Sequence, residues 1–220
     1  MTKKKAFELA AETTEIAIKQ IVDESVLNDV PVVGTILKLK GIGTSIHDNL
    51  YAEKIRQFLL CLSEIPEEKR LKFRDEIAMG KEKNQKLVQK LLLIIENQSD
   101  LEKTELVANF FIAYLDGEMS GSGFRRALDV TANYFLDDIT NFLVSISVQG
   151  FSCNTYQDLE RMGISSLIGS PLIGFERTSP AELRKDGWGD TAEVALFETS
   201  DFGFSFERAF RWGERLRNTP

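Results

Sequence analysis

One histidine, His47, and two cysteines, Cys61 and Cys153, hold all the imidazole and thiol chemistry of this 220-residue chain. A nucleophile and its base must come within hydrogen-bond reach of each other. Cys61 follows His47 by 14 positions, and a continuous helix of that length spans about 21 Å. Nothing in the sequence directs Cys153 to the imidazole. His47 therefore reads as a structural or exposed histidine. The same inventory excludes the usual zinc sites built from several nitrogen and sulfur ligands. No catalytic residue, metal ligand or cofactor-binding residue is assigned, no cofactor is expected, and the chain is not expected to be an enzyme.

Oxygen ligands are more plentiful, and one loop imitates a calcium site. In the run from Asp116 to Phe124 (DGEMSGSGF), glycine falls at loop position 6 and Glu118 at position 3. An EF-hand also needs a bidentate acid at position 12, where this chain has Ala127. A capped turn between two helices is the better reading. Gly41-Ile42-Gly43, Gly121-Ser122-Gly123 and Gly187-Trp188-Gly189 lack the Lys-Ser/Thr that a phosphate-binding loop requires. Asp137 and Asp138 are sequence neighbours, so on a helix they diverge by about 100° and face solvent instead of opposing each other across a cleft.

Two stretches have leverage on partners. Arg208, Arg211 and Arg215 recur at helical spacing, a stripe able to contact phosphates. The plainer reading is that they complement a helix C-terminus, with Glu207 and Glu214 partly neutralising them. Phe204, Phe206, Phe210 and Trp212 share that segment and would dock onto the rest of the protein or onto a partner. The second stretch is Val30–Leu50, apolar at spacings of three and four but interrupted by Gly34, Gly41 and Gly43. Each interior glycine costs a helix up to about 1 kcal/mol relative to alanine. The segment is expected to be a buried hairpin or kinked helix, with release toward a partner groove or membrane as the functional alternative. Partner contacts are accordingly assigned to Val33, Ile36, Leu37, Phe206, Phe210 and Trp212, and phosphate contacts, in the alternative, to Arg208, Arg211 and Arg215.

Composition sets the frame. Apolar residues make 43% of the chain and charged ones 28%, the proportions of a folded globular protein and not of a disordered one. Thirty-four acidic against 27 basic side chains give −7, a field that favours neither nucleic acid nor anionic membrane. Two isolated cysteines make no disulfide framework and read as reduced thiols. After the basic start Lys3-Lys4-Lys5, acidic residues preclude a signal h-region. The uncharged run Val30–Leu37, stopped by Lys38, falls well short of the roughly 20 residues a membrane span needs. A soluble, cytoplasmic protein is expected.

The elements that must position these residues are mostly helices. Amphipathic spacing predicts helices over 5–24 and 51–63, another opened by Pro66, and one over 83–96. Ser99 and Glu102 stand at capping-box spacing before a helix stopped by Asp116-Gly117. Met119 and Phe124 flank Ser120 as a hydrophobic staple would, starting one long helix through Phe135, Phe142 and Ile146. After Gly150 come a short helix ending at Gly163, strands at Ile164–Ile168 and Val194–Thr199, a Gly/Pro/Ser-rich insert 169–191, and a final helix from Phe204 to Arg217. The expected fold is mainly α: a helical bundle over 1–150 and a small α+β appendage over 151–220.

At Val30–Thr35 (VPVVGT), Lys54–Leu59 (KIRQFL), Ile65–Glu68 (IPEE) and Ala113–Ser120 (AYLDGEMS), the chain resembles a diffuse group of uncharacterised bacterial helical proteins. Some of these sit beside phage-defence or mobile-element genes. The tail, with Met162-Gly163-Ile164 and then Phe197-Glu198-Thr199 followed by Phe202-Gly203, is similar to the end of a winged-helix module, from which the 169–191 insert and the acidic balance depart. The resemblance implies only a bacterial protein of that kind. The function expected first is that of a non-enzymatic interaction protein of the bacterial cytosol, an accessory or effector of phage defence or stress, with a protein partner or self-association. The alternatives are a nucleic-acid-binding regulator using the tail and a membrane-active effector exposing 30–50.

Overall fold

The computed structural model describes residues 46–71, 75, 81–98, 100–146, 150–178 and 194–218, with side chains except at 46–49, 81–88, 177–178 and 194–195. Helices dominate, and a small antiparallel sheet lies toward the C-terminus. The chain forms two compact units: one runs to Ser120 and resumes at Ala209, and the other is Gly121–Arg208. The units thus divide at 120 and 208, whereas the change of sequence texture marks a single boundary after 150.

The first unit contains α1 (Ile46–Ser63), α2 (Lys81–Asn97) and α3 (Glu102–Leu115). Ile55, Phe58, Leu59 and Leu62 recur at helical spacing on α1 and are all buried. Phe58 packs against Phe111 of α3 with ring centroids 5.6 Å apart. Each such side chain stabilises the core by roughly 1.5–3 kcal/mol through removal from water. Residues 67–71 are helical, and the carbonyl of Pro66, one position before the first helical residue, accepts from the amides of Lys69 and Arg70.

The two ends of α3 differ in how closely they follow the sequence pattern. Its first helical residue is Glu102, and Leu101 before it makes no side-chain cap. A capping box needs its acid at the third helical position, so Glu102 does not fill that role; Ser99 lies outside the described residues. The other end is a Schellman motif: Glu118 N–H donates to Ala113 O (2.9 Å) and Gly117 N–H to Tyr114 O (3.2 Å). Gly117 has φ +86°, a conformation in which glycine carries no Cβ penalty. The calcium-like loop is therefore a helix stop followed by a helix start.

The second unit opens with α4 (Gly121–Asn133) and α5 (Leu136–Ser145). Met119 and Phe124, the two staple residues, are both buried. The expected single long helix is broken in two, because Phe135 is extended (ψ 142°). The Asn133 amide folds back onto Asp129 O (2.7 Å), and Asp137 and Asp138 then occupy the first turn of α5, where negative charge complements the helix dipole. Asp138 also accepts a hydrogen bond from Ser166.

Strand β1 (Ser152–Cys153) follows, then α6 (Tyr156–Arg161), capped by Thr155, whose hydroxyl oxygen accepts from Asp158 N–H. A second Schellman motif closes α6 at Gly163, φ +68°, with Ile164 N–H on Leu159 O and Gly163 N–H on Glu160 O, both 3.0 Å. Ile164 and Leu159, which this motif brings together, are fully buried. The strand expected at Ile164–Ile168 is instead a 3-10 turn, Ser165–Leu167. Ile164 and Leu167 are both buried, three residues apart, a turn spacing and not the two-residue alternation of a strand.

The hairpin is made by β2 (Ile173–Thr178) and β3 (Val194–Thr199). Sheet order is β1-β3-β2, all antiparallel. β3 is the strand expected at 194–199; β2 falls inside the stretch that reads as insert. Finally α7 (Asp201–Arg217) starts three residues earlier than predicted. Ser200 Oγ caps it by accepting from Gly203 N–H (2.9 Å), while donating to Pro171 O (2.5 Å).

Candidate functional site

Of the partner residues read from sequence, Val33, Ile36 and Leu37 lie outside the described residues, as do 30–45 generally. The aromatic ones are largely occupied by their own fold. Phe206 has no exposed surface and lies between Phe142 (6.4 Å) and Phe202 (6.1 Å). Its assignment to a partner is corrected: it is core of the Gly121–Arg208 unit. In the first unit Phe210 packs against Phe110 at 6.2 Å, and Trp212 Nε1 donates to Asp116 Oδ2 at 2.9 Å. Both are half-buried and structural on these contacts.

The arginine stripe divides differently from its spacing. Arg211 pairs with Glu214 at 3.2 Å, and Arg215 lies over the Trp212 ring at 4.3 Å; Arg208 is exposed. The arginine with the firmest partners is Arg217, outside the stripe. It donates to Glu64 (2.6 Å), Asn109 (3.1 Å) and Glu105 (3.2 Å). Asp116, the first residue of the calcium-like loop, accepts from Trp212 and from Lys69 (2.6 Å). These bonds hold α7 from Ala209 onward within the first unit, and sequence spacing carries no signal of them because their partners are remote along the chain.

His47 falls in α1, with its side chain outside those described. Cys61 is buried, and desolvation pushes its thiol from the usual 9.0 up to about 12. Cys153 is half-buried, its thiol also raised, by burial first and then by Asp158. Since thiolate is the reactive form, alkylation of the folded protein will label Cys153 first, and Cys61 only on unfolding. Mass spectrometry of a labelling time course checks the order. Burial, then Glu96, pushes Tyr51 up to about 12 as well. Both raised groups favour the neutral form more when folded. The stability they contribute is whole below about pH 9 and is lost as pH rises toward 12. Urea titrations across that window should show the decline, reduced in Cys61→Ala.

One of the two edges of the sheet is the outer side of β2, and the ladder shows which groups it presents. Thr199 N–H donates to Phe151 O at 3.1 Å, so Thr199 faces β1. In an antiparallel ladder both backbone groups of a residue point the same way, and direction alternates along the strand. Glu198, Leu196 and Val194 therefore face β2 and bond Gly174, Glu176 and Thr178 in the observed register. Ile173, Phe175 and Arg177 turn their N–H and C=O groups outward. Among the described residues no strand pairs with that side. Phe175, at its centre, is 56% exposed although its ring lies 5.2 Å from that of buried Phe197. The sequence signal is Ile173-Gly174-Phe175-Glu176, an apolar/polar alternation hidden by its flanking Gly, Pro and Ser.

Between α6 and β2, where a winged-helix module would place a reading helix, the chain has only the three-residue turn Ser165–Leu167. No helix of the described residues is long and apolar enough to cross a membrane. No protein-family model, curated protein or solved structure matches the chain.

Proposed function

We propose that this chain is an interaction protein whose contact element is the outer edge of β2, acting as an accessory or effector in a bacterial cytosol. The observation that supports the reading is the outward row of backbone groups at Ile173, Phe175 and Arg177 with an exposed aromatic at its centre. Natural edge strands are usually short, bulged, charged or covered, because an open edge templates pairing with another chain. Strand addition supplies affinity through main-chain bonds and selectivity through alternate side chains. Here Phe175 is the side chain available to a pocket or to an opposing strand.

A photo-crosslinking residue placed at position 175 in the full chain tests this in the native host. Protein adducts from position 175, and none from the exposed position of Arg208 on α7, are the expected result. Absence of adducts from position 175 overturns the reading.

A further inference from the structure

We infer that the partner of the β2 edge is a second copy of this chain, paired antiparallel about a two-fold axis through Phe175. The inference rests on the edge-pairing reading above and names its partner.

Register parity carries the argument. The outward-facing groups belong to Ile173, Phe175 and Arg177, all at odd positions, on every copy. Hydrogen-bonded pairs between two such edges can join only odd positions to odd ones. The two-fold axis must then pass through a residue and not between two. Three registers place it strictly between the first and last of these outward residues. Through Phe175, all three outward residues are paired: Phe175 with its counterpart and Ile173 with the second copy's Arg177, in both directions. Through Gly174 or Glu176, only two of the three find partners within the strand.

Side-chain chemistry selects the same register. An axis through Glu176 sets two carboxylates directly opposite each other, which destabilises a strand pair. The axis through Phe175 instead sets each Glu176 opposite Gly174, which has no side chain to collide with it. The two Phe175 rings become cross-strand neighbours at a spacing of about 5.5 Å between backbones. Because each Phe175 already packs against Phe197 at 5.2 Å, the four rings form one row across a continuous six-stranded sheet. A two-fold contact of this kind is self-complementary and closed, so it stops at a dimer.

Hydrogen exchange on the wild-type protein tests the pairing without any substitution. As protein concentration rises, the amides of Ile173, Phe175 and Arg177 should slow at least tenfold, whereas those of Gly174 and Glu176, already bonded to β3, should not change. Sedimentation over a series reaching about 100 μM should show monomer converting to dimer. Arg177→Pro removes one outward N–H and spares the β2–β3 bonds, as an edge proline can. It should weaken the dimer at least tenfold while leaving the melting temperature of the dilute monomer unchanged, and Phe175→Lys should weaken the dimer at least as much. Glu176→Gln should leave the dimer constant within twofold.

A chain that stays monomeric throughout, or a dimer indifferent to both edge variants, overturns the inference. If position 175 crosslinks only to a different protein, the inference falls while the interaction reading stands; if it crosslinks to nothing, both fall.

Discussion

Phe206→Ala is expected to lower folding stability by about 3–5 kcal/mol, the range for deleting a buried phenylalanine. The side chain is fully enclosed and lies within 6.4 Å, centroid to centroid, of both Phe142 and Phe202. Removing it leaves a ring-sized cavity whose walls are themselves aromatic and cannot easily collapse. With total stabilities of about 5–15 kcal/mol, this is a large fraction of what holds a chain of this size folded. Arg208→Ala, two residues on and exposed, should change stability by no more than about 0.5 kcal/mol. Urea unfolding of the two variants decides the matter. A Phe206→Ala protein as stable as wild type would return the residue to the surface role that its sequence position suggests.

Gly213→Ala should also destabilise, against the trend of helix propensity. In a helix interior alanine is favoured over glycine by about 1 kcal/mol, so a solvent-facing site would gain. At Gly213 an added Cβ would lie 2.3 Å from the Asn109 carbonyl oxygen and 2.6 Å from its Cα. Those atoms are backbone, so no rotamer change relieves the clash, and the helices α3 and α7 must separate locally. Overpacking of this kind costs about 1–3 kcal/mol. Arg217, one turn further along, bonds the Asn109 side chain and two carboxylates, so the separation also loosens that group. Gly213→Ala and Arg217→Ala should therefore be non-additive in a double-mutant cycle. A thermal melt that rises for Gly213→Ala would refute the close approach.

Several features are legible in the amino-acid order because they are local. The helix stops at Asp116-Gly117 and Gly163 rest on a glycine able to take a left-handed backbone, and the chain announces them. The buried stripe of α1 is written in the spacing of Ile55, Phe58, Leu59 and Leu62. Strand β3 opens with four consecutive apolar residues, Val194–Phe197, in a run of ordinary strand length. In each case the deciding contacts lie within a few residues, which is the range over which sequence pattern has force.

Other features differ from the pattern for equally physical reasons. The apolar run at Ile164–Ile168 suits a strand or a turn, and periodicity cannot separate the two over five residues. The break at Phe135 depends on the return of Asn133 to Asp129 and on acids placed for a new helix start; the apolar spacing of 124–146 alone continues straight through it. The edge residues Ile173–Thr178 look like loop because Gly, Pro and Ser flank them, and their pairing with β3 is not readable from local pattern.

The candidate chemistry divides in the same way. Sequence by itself determined the helical class, the absence of a second histidine, the pairing of glycine stops with helix ends, and which face of α1 is apolar. Only the tertiary structure decided that Phe206 is core, that Trp212 and Lys69 share Asp116, and that Phe175 stands exposed on a strand that pairs with β3 alone among the described strands. Caps and periodicity act over one or two turns of chain, whereas burial and edge exposure depend on which remote segments arrive, and composition does not encode that.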